Sequence, residues 1–509
     1  MWRNATRSQR RTMKNLHSAL DEHGALSRRT LIKGGAAAFG ASFMRIGDAL
    51  AQDTVAVRPA AHRLGMDSPE TTALRTAVAS LRQQGWWDFL ATYHRQYCGR
   101  SQDVEIHWSW NFLPWHRLYL TIVERHLQAV IGDSSLGLPY WDWYARGTVP
   151  EIYFSDPLND TTREIQPWEA MQLDDFGDAA TENRLTDIPD FRRFGGGEPF
   201  ASGQLEQGPH GGGHVFVGGN MAQFATAGLD PLFYAHHCNI DRLWEVWRGA
   251  DPARPRSEPA AGSAWDARVF GFLDVDGSSL THRASETVST TDLGYRYDDV
   301  RPKFRAFAEM AQVPDDIPGF PSPVETMTES AGADSDTPSG TRIKLRPTDD
   351  TATESTRDGG GFVIGGQGIE LAPTESADGD PVADDALDRF SFESAASTQQ
   401  TATLHMEGLK IPVEAAYLHV HVNFEGEVDT LTRPSSRTKS SYASSRVLVP
   451  FSDNPVDNPA VPLDIDLTDF VVGRDLVVSE ITLLVIPFTR AGEPLGTGIA
   501  VDDFELRVE

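Results

Sequence analysis

The chain has 509 residues, 40% of them hydrophobic, with 73 Asp+Glu against 45 Lys+Arg and a formal net charge of −28. That length exceeds one ordinary core and predicts two or three domains. The acidity argues against nucleic acid as a partner, since phosphate binding needs a basic face, and two cysteines are too few for a disulfide framework.

Residues 1–51 do not read as part of a fold. A basic leader ends in Ser27-Arg28-Arg29-Thr30-Leu31-Ile32-Lys33. A mostly apolar run, Gly34 to Met44, and then Ala49-Leu50-Ala51 follow. That order predicts a twin-arginine signal with an A-x-A cleavage site, hence a periplasmic or extracellular protein. No later segment approaches 18 uninterrupted apolar residues, so no membrane span is expected.

Residues 70–130 carry apolar side chains at three- and four-residue intervals and read as helices. His94 and Cys98 share one helical face, four residues apart. Pro114 opens the next helix, with His116 in its first turn and His107 in the approach. Residues 131–205 read as loops, with LPYWDW at 138–143 apolar enough to be buried beneath a site. His210 and His214 form an H-x3-H pair in GPHGGGHVFVGG. In DPLFYAHHCNIDRLWEVW, Asp230 suits a helix cap and Pro231 the first helical position. His236 and His237 follow, about 100° apart on that helix, so at most one aims straight at a shared site. Short strands or turns at GFLDVDG and TDLGYRYDDV close this domain near residue 310.

Residues 321–400 hold sixteen acids against five bases and almost no aromatics, the composition of a linker. From about 401, strand-length segments alternate or run apolar between turn residues, which predicts a small antiparallel sandwich or barrel. The expected organisation is a signal at 1–51, a mainly α catalytic domain at 52–310, an acidic linker at 311–400 and an all-β sandwich at 401–509.

Eight of the fifteen histidines lie between 94 and 237. Neutral imidazole suits copper, zinc, iron and nickel. A mononuclear zinc enzyme takes three protein ligands. Two sets of three histidines, without a carboxylate or thiolate set, fit a pair of coppers better. His419 and His421 alternate on one strand and face one side, but two histidines make a poor cage. His126 reads as a surface or supporting residue.

The motifs His94…His107…Pro-Trp-His116-Arg and His210-x3-His214…Asp-Pro-Leu-Phe-Tyr-x-His-His237-x-Asn-x-Asp-Arg-Leu-Trp resemble those of the tyrosinase and polyphenol oxidase family, over roughly residues 85–310. The likeness is closest to plant-type members, although this chain lacks the cysteines for their amino-terminal disulfides. It implies a helical bundle holding two copper ions, ligated by His94, His107 and His116 and by His210, His214 and His237, with His236 supporting. It implies a thioether from Cys98 to His107. Phe224 stands where the family places an aromatic gate above the second copper. Glu206 stands where a glutamate orders a water near the substrate. Tyr295 and Tyr297 resemble a tyrosine motif that closes the catalytic domain. The implied reaction oxidises o-diphenols to o-quinones while dioxygen goes to water. Gly211 offers no side-chain amide where the family often has Asn, so diphenolase activity is expected above monophenol hydroxylation. The carboxy-terminal domain is expected to cover the site in cis. An o-aminophenol-type oxidase and a haemocyanin-like dioxygen carrier are the alternatives.

Overall fold

The computed structural model describes residues 55–98, 105–172, 182–198, 201–249, 258–259 and 261–301, then 341–348, 362–364, 368–376, 390–391, 402–425 and most of 431–508. The expected signal at 1–51 lies outside the described residues, as does the first part of the expected linker. The described residues divide into two units, one holding 55–301 and the other 341–508.

The first unit is mainly helical. Ser68 caps α1 (Pro69–Gln84) by accepting from the Thr71 N–H, and Pro69 sits where a helix needs no donor. Gly85 ends α1, and α2 (Trp86–Tyr97) starts immediately. α3 (Phe112–Ile131) begins two residues before Pro114, which occupies the first turn rather than opening the helix. The ring costs nothing there, because first-turn amides have no intrahelical acceptor. Almost every side chain of α3 up to Ala129 is buried, polar ones included, which marks it as the central helix. After α4 (Gly211–Val217) comes α5 (Pro231–Gly249), also buried along nearly its whole length. Asp230 caps α5 through the Leu232 N–H at 2.8 Å, and Arg163 clasps the same carboxylate at 2.6 and 2.8 Å. The LPYWDW segment is buried, with Tyr140, Trp141 and Trp143 fully enclosed. β1 (Ala56–Arg58) pairs in parallel with β4 (Tyr295–Tyr297), and β2 (Val269–Leu273) pairs antiparallel with β3 (Ser279–Arg283). Among the described residues no helix is long and apolar enough to cross a membrane.

Beneath the bundle lies a buried charge cluster. The Asp241 carboxylate on α5 accepts from Arg117 of α3, from Arg58 of β1 at 3.3 Å, and from the hydroxyls of Tyr295 (2.6 Å) and Tyr297 of β4. Arg58 also reaches Glu124 at 2.9 Å and lies over the Tyr295 ring at 3.4 Å. The expected tyrosine motif thus closes the unit by donating into a carboxylate.

Among the described residues the second unit holds one hydrogen-bonded sheet of ten strands and a separate pair of two-residue strands, β8 (Phe390–Ser391) with β13 (Asp475–Leu476). Its strands include β5 (Thr341–Pro347), β6 (Phe362–Ile364) and β7 (Ile369–Ser376). These lie inside the stretch expected to be linker, which corrects that boundary. β5 pairs with β16 (Asp503–Val508) and β7 with β14 (Leu483–Thr489), so each is secured by partners more than a hundred residues away. Their apolar residues, Ile343, Leu345, Ile364, Ile369 and Leu371, are the buried ones. The remaining ladder runs through β9 (Ala402–Lys410), β10 (Ala415–Val422), β11 (Tyr442–Val447), β12 (Ala460–Asp466) and β15 (Ile499–Val501). Every residue of β10 is buried, so both of its faces are covered.

His419 and His421 on β10 do face one side, but their partners are hydroxyls. Ser436 Oγ lies 3.0 Å from His419 Nδ1 and 2.6 Å from His421 Nε2, and Ser441 Oγ lies 3.0 Å from His421 Nδ1. Burial, and secondly Lys439, hold His421 down from 6.5 to about 4. The folded unit therefore resists a proton that the unfolded chain accepts. Its stability is full above pH 6.5 and declines as pH falls toward 4, by about 3 kcal/mol at roughly 1.4 kcal/mol per unit. Trp265 is the last tryptophan in the chain, so tyrosine near-UV dichroism that changes without tryptophan fluorescence reports the β unit. Its denaturant midpoint should drop between pH 7 and pH 4.5 in the wild type and less in His421→Gln; equal drops would rule His421 out as the cause.

Candidate metal centre

Three elements bring the first set of histidines together. α2 presents His94, the loop before α3 presents His107, and the first turns of α3 present His116. Ring centroids stand 5.1 Å apart for His94–His107 and His107–His116, and 5.6 Å for His94–His116. The loop is braced by Glu105, whose carboxylate accepts the His107 N–H at 3.0 Å and whose carbonyl accepts from Ser109 and Asn111. The next residue, Trp108, is held at φ 54°. That conformation is costly for a large side chain. The Trp108 N–H donates to Glu206 Oε1 at 2.6 Å, which secures it.

The second set comes from a π turn (Glu206–His210), α4 and α5. His210, His214 and His237 have centroids 4.7, 4.9 and 5.4 Å apart. The two sets adjoin: His116 stacks on His237 at 4.5 Å and His107 faces His210 at 5.6 Å. Glu206 therefore joins the loop of the first set to the turn of the second.

His236 also has a ring nitrogen in reach of His210 and His214. Its Nε2–H, however, donates to the His210 carbonyl at 2.9 Å, and its ring packs on Trp143 at 4.9 Å. It lies so flat on α4 that a Cβ on Gly213 would fall 2.2 Å from His236 Cε1. The glycine run admits this ring.

All six histidines of the two sets are at most 2% exposed. Burial, reinforced by neighbouring imidazoles, holds His94 down to about 3 and His116, His210 and His237 well below their ordinary range, while burial takes His214 to about 4. These five shifts favour neutral imidazole, the form that binds a metal. Tautomers are set by backbone carbonyls. His94 Nδ1–H donates to Phe224 O at 2.8 Å, His116 Nδ1–H to Phe112 O at 2.8 Å, and His214 Nδ1–H to Met221 O at 2.7 Å. Each bond leaves Nε2 as a lone pair, the arrangement by which proteins orient metal-bound histidines. Among the described residues, buried His116 Nε2, His210 Nε2, His236 Nδ1 and His237 Nδ1 have no hydrogen-bond partner. His214 Nε2 and His237 Nε2 stand 3.2 Å apart. Two nitrogens on one tetrahedral ion, at bonds of roughly 2.0–2.1 Å, are about 3.3 Å apart. The donor set fits metal ions that prefer imidazole.

Other expected residues fall as follows. Cys98 is a buried thiol outside any disulfide that donates to the His94 carbonyl at 2.9 Å, with its sulfur within 4.8 Å of ring nitrogens of both His94 and His107. Phe224 stacks on His107 at 4.1 Å and approaches His94 at 6.2 Å. Both belong to the first set, while the resemblance implies a gate above the second metal. His126 is buried rather than at the surface, bonded to Ile122 O and packed on Trp86 at 5.3 Å, away from the site. Cys238 is enclosed, and burial pushes its thiol up. The orienting carbonyls of Met221 and Phe224 were not legible beforehand, because a backbone acceptor has no residue signature.

Residues 84–185 and 156–250 match the family model described as the common central domain of tyrosinase. Polyphenol oxidase II, chloroplastic, of Ipomoea batatas is 28% identical over 297 residues, covering 48% of this chain and 49% of that protein. Polyphenol oxidase C, chloroplastic, of Solanum lycopersicum is 31% identical over 265 residues, covering 43% and 42%. The chain thus spans less than half the length of these curated relatives. The solved structure of latent apple tyrosinase matches with a TM-score of 0.58 at 19% identity, over 89% of this chain and 97% of that one. At that identity the likeness is one of fold, a helical unit followed by a β unit.

Proposed function

Through residues 84–250 the chain belongs to the tyrosinase and polyphenol oxidase family, and we propose that it oxidises o-diphenols to o-quinones with dioxygen at a pair of copper ions. The observation that carries this reading is the pair of adjoining trios of buried imidazoles. His94, His107 and His116 would hold one ion, and His210, His214 and His237 the other. His237 is preferred over His236 because its ring stacks on His116 of the first set at 4.5 Å and its Nε2 stands 3.2 Å from His214 Nε2. When bound, the copper pair supplies the electron transfer that links phenol to dioxygen.

The residues of this chain hold and orient. Three carbonyls fix histidine tautomers before any ion arrives, so little reorganisation is needed on binding. Phe224 covers the His107 ring and keeps water from that side of the first set. Glu206 holds the Trp108 turn through Oε1, and Oε2 is the atom that would order a water beside the substrate. Gly211 gives no amide to help remove a phenol proton, so catechols are the preferred substrates. Copper-loaded protein should therefore take up dioxygen in proportion to quinone formed, faster with a catechol than with the matching monophenol. His237→Ala should abolish uptake. Dioxygen bound without turnover and released unchanged in the presence of catechol, with two ions bound, would turn the reading toward a dioxygen carrier.

Cys98 and His107 are proposed to join through a thioether. The sulfur and a ring carbon each lose one hydrogen, which dioxygen accepts at the copper site. The proximity of the sulfur to the His107 ring supports this. The peptide pair containing both residues should have a mass two hydrogens below the sum; two separate peptides of full mass would exclude the bond.

The β unit is proposed to shield the site in cis, as the word latent in the name of the apple structure suggests for that protein. Because β5 already belongs to the sheet, a cut that separates the units must come before Thr341. Protein cut between 302 and 340 should turn over faster than the full chain; equal turnover would refute shielding.

A further inference from the structure

One short segment orients a histidine of each set. The Met221 carbonyl accepts from His214 Nδ1 at 2.7 Å, and the Phe224 carbonyl accepts from His94 Nδ1 at 2.8 Å. These acceptors lie three residues apart, at the end of the 3-10 turn Gly219–Ala222 and just beyond it. The histidines they hold come from helices far apart in the chain. His116, by contrast, is oriented by its own helix through Phe112.

What fixes this segment is a zipper to residues 160–164. Asn220 Nδ2 donates to Asp160 Oδ2 at 2.8 Å, and the Asn220 N–H donates to Thr162 Oγ1 at 2.9 Å. Asp160 Oδ1 accepts from the Thr162 N–H at 2.8 Å and from its hydroxyl at 2.6 Å, which locks the partner loop. The Glu164 N–H donates to Val217 O at 3.0 Å. The two backbones approach so closely that a Cβ on Gly219 would fall 2.1 Å from Thr162 O. Thr226 Oγ1 closes the far side by donating to Asn220 O at 3.0 Å. Neither Asp160 nor Asn220 touches a histidine.

We propose that the Asp160–Asn220 pair is a positioning device that sets the geometry of both metal sites at once, by holding the 219–224 segment whose carbonyls orient His94 and His214. The proposal rests on the copper-pair reading. Its physical content is a coupling: if the segment slips, one ligand of each ion loses its tautomer and aim together. A residue serving only the stability of the fold would lower the melting temperature without changing affinity in the folded protein. A residue serving only one site would weaken one ion.

The test is a zinc(II) titration of metal-free full-length protein in competition with a chromophoric chelator, with near-UV circular dichroism to confirm the fold. Wild type should take two ions. Asn220→Ala should weaken both, each by roughly tenfold or more, as outer-shell changes at metal sites do. The exchange Asp160→Asn with Asn220→Asp keeps one amide and one carboxylate in contact and should restore both affinities. Weakening of one ion alone, or of neither, in folded Asn220→Ala would overturn the proposal. Should Asn220→Ala fail to fold, the exchanged pair decides: two wild-type affinities support it, and a folded exchange that still binds either ion weakly overturns it. A wild type that takes up no zinc would overturn the copper-pair reading first, and this inference with it.

Discussion

The carboxylate of Asp241 is the point on which the helical unit depends. It is buried, and it accepts from two guanidinium groups and two phenols drawn from β1, α3 and β4. A buried charge without partners is costly, and removing one member of such a pair typically costs about 3–5 kcal/mol. The same hub lies next to the site. Arg117 follows His116 directly on α3, and Asp241 lies one turn beyond His237 on α5. Their bond therefore sets the register in which these two helices face each other, and with it the stacking of His116 on His237 at 4.5 Å.

Above this charged floor the site follows a different rule. Burial and neighbouring imidazoles hold His94, His116, His210 and His237 below their ordinary range, and the carboxylates of Glu105 and Glu206 accept from the backbone N–H groups of His107 and Trp108. Orientation comes from backbone carbonyls, which cannot titrate and have little freedom to move. His236 illustrates the economy of the arrangement. It adjoins a ligand yet serves as a wedge between α4 and Trp143, and its bond to the His210 carbonyl steadies the second set without entering it.

Much of this was legible in the sequence because it follows from period and spacing. Apolar intervals gave α1, α2 and α3, and Asp230-Pro231 marked the start of α5. Spaced histidines gave the two sets that the structure brings together. The places where sequence reading failed share a cause, dependence on distant partners. β5 and β7 sit in an acidic, turn-rich stretch and acquire their character from β16 and β14 at the other end of the chain. Met221 gave no sign at all, since any residue could supply that acceptor.

The pairing of β1 with β4 has a consequence for how short a working fragment can be. The two strands come from opposite ends of the helical unit, and the second brings both phenols that donate to Asp241. A chain ending before Tyr297 would keep every histidine of both sets yet leave that carboxylate short of donors and β1 without its neighbour. The minimal folded fragment is therefore set by a closing strand some sixty residues beyond His237, and proteolysis inside that interval would destroy the site it spares.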